Sequence, residues 1–205
     1  MAVSLAVLIA ARAEAAGLFP PADVVRDCSL YVELLAKWNR KTNLTSLDVA
    51  PASADAIDRL IVEPLIAARE LSADDRVIVD LGSGGGSPAI PLAIAARPER
   101  LTMVEVREKK AAFLREAIRV TALEADVVVG RVEELALREA RVITARAIKL
   151  NDQIEAVIVR TLSSPGRFFW FGSAASAFEE RVPAGLQEPR EIPLPVGLLT
   201  ISHKR

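Results

Sequence analysis

From Arg76 onward, short runs of β-branched residues alternate with longer helical stretches, and this alternation limits the fold more than any other feature of the chain. Val77-Ile78-Val79 is an unalternated apolar run, as a strand buried on both faces of a parallel sheet requires. Leu101-Thr102-Met103-Val104, Val127-Val128-Val129, Val142-Ile143-Thr144 and Arg167–Phe171 repeat the signal. Helical spacing over Ile90–Ala96, Lys109–Leu123 and Ile154–Leu162 separates them. Strands joined this way make right-handed βαβ crossovers, so the expected architecture is α/β: a doubly wound, mainly parallel sheet. Ser163-Ser164-Pro165-Gly166 reads as the turn before the fifth strand. The last two strands, the fifth and Leu198–Ile201, can close one edge as an antiparallel hairpin.

Residues 1–70 read differently, as a helical segment preceding a domain over 71–205. Gly17 is a plausible helix C-cap and Pro20-Pro21 opens a second helix ending near Asn39–Asn43. A third is expected from Ala52 to Glu70. Val3–Ala11 is apolar but lacks a preceding basic region and is too short to cross a bilayer, which predicts an amphipathic helix and a cytoplasmic protein.

Composition narrows the chemistry. Of 205 residues, 51% are hydrophobic and 26% charged, so the chain can bury a core. One cysteine, Cys28, excludes a disulfide framework and a cysteine zinc site within the chain, and a single histidine, His203 near the C-terminus, disfavours a histidine-based triad or metal cluster. Cys28 reads as a small buried helix residue. The net charge is −1, so a nucleic acid must be met by a local basic patch.

Asp80-Leu81-Gly82-Ser83-Gly84-Gly85-Gly86-Ser87-Pro88 follows the first strand and precedes a helix, at the sheet's carboxyl edge where ligands bind. Asp80 is placed to face an ammonium or a water. Glu105 ends the second strand, where a carboxylate can accept from both hydroxyls of an adenosine ribose. A dinucleotide fingerprint wants glycine at position 87, which is serine here, and Pro88 and Pro91 remove amides that a pyrophosphate would use. The pattern therefore favours S-adenosylmethionine, with Asp80, Gly82, Ser83, Gly84, Gly86, Ser87 and Glu105 around it. Val132 and Glu133 follow the third strand, either at the adenine edge or as the first turn of a surface helix. Arg146 ends the fourth strand, either in the crevice or capping a helix. Lys109 and Lys110, and Arg40 and Lys41 with Lys37, form two basic clusters that are either RNA contacts or solvated surface.

These pieces, taken in order, resemble the ribosomal RNA small subunit methyltransferase G family, also called glucose-inhibited division protein B. The match is carried by Leu35–Thr45 with its Trp38-Asn39 and Asn43-Leu44-Thr45, by Asp80–Gly86 with Ile90–Ile94, and by Val104-Glu105 with Lys109-Lys110. Arg131–Glu134 and Arg146-Ala147 complete it. The resemblance implies methylation of a guanine N7 in small-subunit ribosomal RNA, free or in the assembled subunit, with no metal. It implies cofactor contact at Gly82, Ser87, Val132, Glu133 and Arg146, the last also a candidate for catalysis. The chain departs from the family pattern where Arg59-Leu60-Ile61-Val62-Glu63-Pro64 replaces Arg-His-Ile-Leu-Asp-Ser, and where Ala89 and Phe171 replace a glycine and a lysine. A small-molecule methyltransferase, a nicotinamide oxidoreductase and a non-catalytic relative are the alternatives.

Overall fold

The computed structural model describes residues 4–173 and 183–204. Helices α1 (Leu5–Ala15), α2 (Ala22–Asn39) and α3 (Ala54–Ile57) come first in the chain. A π-helical turn, Asp58–Val62, joins α3 directly to α4 (Glu63–Ala68). The expected third helix is thus one rod with a wider turn in its middle.

Strand β1 (Val77–Leu81) opens the sheet, followed by α5 (Ala89–Ala96), β2 (Arg100–Glu105), α6 (Glu108–Thr121) and β3 (Ala125–Val129). A 3₁₀ turn (Val132–Glu134) leads to β4 (Ala140–Arg146), α7 (Asp152–Thr161) and β5 (Leu162–Ser173), then β6 (Arg190–Pro193) and β7 (Gly197–His203). The strand order is β3-β2-β1-β4-β5-β7-β6. The first five strands pair in parallel, and β7 runs antiparallel between β5 and β6. This is the doubly wound α/β arrangement that the alternation predicts.

Two expectations need correction. The β5–β7 pair is antiparallel as expected, but it is not the edge: β6 lies outside it. β6 is short, largely exposed and ends in Pro193, as an edge strand does, and so carries no hydrophobic alternation to read. Ser163–Gly166 is not a turn before the strand but a loop-out within it, since Leu162 pairs with Ala140 and Arg167 with Val142. Gly166 fits there because a Cβ would sit 2.6 Å from the Ser163 carbonyl oxygen.

One apolar cluster joins α1, α2 and the α3–α4 rod to α5, α6 and one face of the sheet. Its large members include Tyr31, Leu35, Ile57, Ile61, Ile90 and Phe113. Cys28 is fully buried there and its thiol is pushed up to about 12 by burial, which leaves it inert. The other face packs β1, β4 and β5 against α7 through Val79, Ile143, Val157, Ile158 and Phe168. Among the described residues no helix is long and apolar enough to cross a membrane.

Candidate cofactor site

The sheet's register brings the site together. Leu81 pairs with Val104 on one side and Ala145 on the other, so the ends of β2, β1 and β4 lie side by side. The order reverses between β1 and β4, and a crevice opens there at the carboxyl edge. The chain then leaves β1 through a loop with left-handed backbone at three glycines, φ of +71° at Gly82, +52° at Gly84 and +89° at Gly86, a region glycine enters without strain.

Each part of that loop is pinned. Ser83 N–H donates to the Val104 carbonyl at 2.9 Å, Gly84 N–H to Glu105 Oε2 at 2.9 Å and Gly86 N–H to the Ser83 carbonyl at 2.7 Å. Tyr31 Oη donates to the Gly85 carbonyl at 2.6 Å, and Ser87 Oγ to the Leu60 carbonyl at 2.9 Å. The result is a rigid platform rather than a slack loop.

Two hollows meet at Gly82. A cleft of about 620 Å³ is lined by Gly82–Gly85, Ser87, Lys110, Arg146, the Leu44–Leu47 stretch, and Asp55, Arg59 and Leu60 of the helical segment. A smaller one of about 220 Å³ is lined by Gly82, Val104, Glu105, Val106, Gly130, Arg131, Val132 and Glu133. The combined groove has the volume of a small-molecule site.

The donor and acceptor set fits S-adenosylmethionine. Asp80 is 1% exposed, and its Oδ1 accepts from Thr144 Oγ1 at 2.6 Å while Oδ2 has no hydrogen-bond partner. Burial raises its pKa to about 6, against the hydrogen bonds of Ser83 and Thr144 and the nearby charge of Arg146. A cationic ligand would relieve that cost. Glu105 is already engaged by the backbone: its two oxygens accept from Gly84 N–H at 2.9 Å and from Arg107 N–H at 2.8 Å. Each oxygen keeps a further lone pair, so ribose hydroxyls can be accepted without breaking the loop's anchor. The space over Gly84 is open, a Cβ there meeting only Gly82 O at 3.7 Å and Lys110 Nζ at 4.0 Å. Val132 is buried and Glu133 half-buried beside exposed Val106.

Arg146 reaches the cleft, but its guanidinium turns inward. It pairs with Glu63 Oε2 at 2.7 Å, donates to the Arg59 carbonyl and lies 4.7 Å over the Phe171 ring. Burial lowers its pKa to about 10, so it remains a cation near neutrality. Glu63 is raised by burial, opposed by Arg146 and Arg59, and also accepts from Val196 N–H at 3.2 Å. Phe171, where the family pattern has lysine, thus supplies a ring for Arg146 rather than a second cation.

The π turn explains why these partners are available. Glu63 N–H bonds to the Asp58 carbonyl, which leaves the Arg59 carbonyl to Arg146. Pro64 has no N–H to offer Leu60, whose carbonyl takes Ser87 Oγ instead. π turns often mark functional sites for this reason.

Of the basic residues, Lys110 lines the large cleft and Lys109 is exposed beside it. Arg40 and Lys41 are exposed past the end of α2, and Arg40 borders a separate apolar hollow with Leu5, Leu8 and Val49. Leu44 and Thr45 of the Asn-Leu-Thr piece line the cleft and Asn39 holds them there: Asn39 Oδ1 accepts from Leu44 N–H and Thr45 N–H at 2.8 and 3.0 Å, and Asn39 Nδ2 donates to the Thr45 carbonyl at 3.0 Å. Sequence reasoning did not single out Tyr31, Asn39, Glu63 or Thr144 for the site. Thr144 is opposite Asp80 in the β1–β4 register, which no local pattern reveals.

Comparison with known proteins decides the family. The model for rRNA small subunit methyltransferase G matches residues 25–182. The chain belongs to this family. The ribosomal RNA small subunit methyltransferase G of Polynucleobacter asymbioticus is 35% identical over 78% of this chain and 68% of its own length. Those of Paramagnetospirillum magneticum and Nitrosomonas europaea are 39% and 41% identical, over 61% and 67% of this chain and 59% and 56% of theirs. The chain therefore spans between just over half and about two thirds of the length of these curated relatives. Among solved structures, a SAM-dependent methyltransferase from Aquifex aeolicus matches with TM-score 0.57 at 12% identity, covering 71% of this chain and 90% of that one. TYW2 of M. jannaschii, in complex with AdoMet, matches with TM-score 0.55 at 16% identity, covering 70% and 74%. Both likenesses are of fold.

Proposed function

We propose that this methyltransferase G family member transfers a methyl group from S-adenosylmethionine to N7 of a guanine in small-subunit ribosomal RNA. The observation that carries this reading is the family match across both the helical segment and the sheet, converging on one groove centred on Gly82. When bound, S-adenosylmethionine supplies an electrophilic methyl on a sulfonium. The guanine N7 lone pair forms the new C–N bond as the C–S bond breaks and the sulfur keeps its electron pair. N7 carries no proton, so no side chain has to remove one. What the protein contributes is orientation.

In this reading Gly82–Gly86 with Ser83 and Ser87 hold the methionine end, Asp80 faces its ammonium, Glu105 takes the ribose, and Val132 and Glu133 flank the adenine. Arg146, locked by Glu63 and Phe171, stands at the boundary between cofactor and RNA. Lys109 and Lys110, with Arg40 and Lys41, meet phosphates, and the substrate is the naked RNA or the assembled small subunit. Incubation with labelled S-adenosylmethionine and unmethylated small subunits tests it. Label mapped to a single guanine N7 is the expected result. Label on small molecules alone overturns the substrate, and absence of binding overturns the cofactor.

A further inference from the structure

We propose that Tyr31 is a positioning residue of the cofactor loop, which makes α2 a working part of the S-adenosylmethionine site rather than packing behind it. The inference rests on the cofactor reading above. Of the loop's anchors, those at Ser83, Gly84 and Gly86 come from β2 or from the loop itself. Gly85 is anchored from outside the α/β unit, by a phenol that is 0% exposed and 54 positions away in the chain. A buried tyrosine needs a partner for its hydroxyl, and here that partner is the backbone on which the methionine end would lie.

Gly85 has a second tie to the helical segment. Its φ is not in the left-handed region, so glycine is needed there for space. An added Cβ would lie 3.0 Å from the Leu44 carbonyl oxygen and 3.6 Å from Leu35 Cδ1. Leu44 is held in place by Asn39 at the end of α2. The segment thus grips one residue from two directions: Tyr31 through its carbonyl, Leu44 against its Cα. The height of the glycine platform is set by α2.

The test compares Tyr31→Phe with Trp38→Phe. Each removes one hydrogen-bond donor from α2; that of Trp38 goes to Glu116 Oε2 at 2.8 Å, away from the loop. Amide exchange over Gly82–Ser87 is followed in the free protein, and S-adenosylmethionine binding by calorimetry. Loss of a neutral hydrogen bond predicts about three- to tenfold faster loop exchange and a dissociation constant raised about three- to tenfold in Tyr31→Phe. Trp38→Phe, at a comparable loss of melting temperature, leaves both within about twofold of wild type on the same scale. Gly85→Ala is expected to behave as Tyr31→Phe. Unchanged loop exchange in Tyr31→Phe, or equal effects in the two aromatic variants, overturns the proposal. Absence of binding by the wild type would instead remove the cofactor reading, leaving the exchange arm to decide whether Tyr31 holds the loop.

Discussion

Asp80 is a carboxylate kept in a place that does not suit it. Burial raises its pKa from 3.8 to about 6, so the folded chain holds a proton that the unfolded chain has already released. Between about pH 4 and pH 6 the native state therefore binds more protons, and stability falls as pH rises through that window, by on the order of 3 kcal/mol in total. Urea titrations across it are expected to show the decline in wild type and its absence in Asp80→Asn. Cofactor binding should follow the opposite trend, tightening from pH 5 to pH 7 as the carboxylate ionises to meet the ammonium, again with no such dependence in Asp80→Asn. Asp80 and Glu105 were legible in the sequence because each ends a recognisable strand. Glu63 and Tyr31 were not, because they serve residues 83 and 54 positions away and only the tertiary fold joins them. Arg146 was legible as a position but not as a state, since nothing local to it announces Glu63.

The loop between β1 and α5 separates two kinds of glycine requirement. Gly86 is constrained by packing, since a Cβ would lie 2.6 Å from Ile90 Cδ1. Gly84 is constrained by backbone alone, with open space above it. Gly86→Ala is therefore expected to lower stability by about 2–4 kcal/mol, through left-handed strain and overpacking together. Gly84→Ala should cost only about 1 kcal/mol in the left-handed region and yet abolish most cofactor affinity, because its methyl projects into the cleft. Denaturation and calorimetry on the same samples check both; equal stability losses would contradict the geometry. At this scale strands β1 to β5 announced themselves by composition, whereas the exposed β6, the loop-out at Ser163–Gly166 and the π turn did not. Each of those three is defined by how it pairs rather than by what it contains.

Across the whole molecule the net charge of −1 gives RNA no general attraction, so the proposed RNA binding would rest on a few cations near the groove. Their placement divides their roles. Lys109→Ala is expected to flatten the salt dependence of RNA binding by about one counterion while leaving S-adenosylmethionine affinity unchanged. Lys110→Ala, whose side chain borders the space over Gly84, should change both. Titrations of RNA binding at several salt concentrations, alongside calorimetry, separate the two.

The wide turn at Asp58–Val62 means that the rod from Ala54 to Ala68 carries more residues than a plain α-helix of the same length would hold. Deleting Ile61 would take the surplus residue out and narrow the turn, placing Pro64, which has no N–H, four residues after Arg59. The Leu60 carbonyl would then have Leu65 N–H one α-turn away, so the acceptor of Ser87 Oγ would be drawn into its own helix. Arg12 would keep Asp58, which lies before the turn, while Arg59 and Leu60 would shift against Arg146 and Ser87. The deletion variant is expected to keep its helical circular dichroism and to lose cofactor binding. The surplus residue works like slack left in a rope: it keeps two carbonyls out of their own helix, and Arg146 and Ser87 tie onto them.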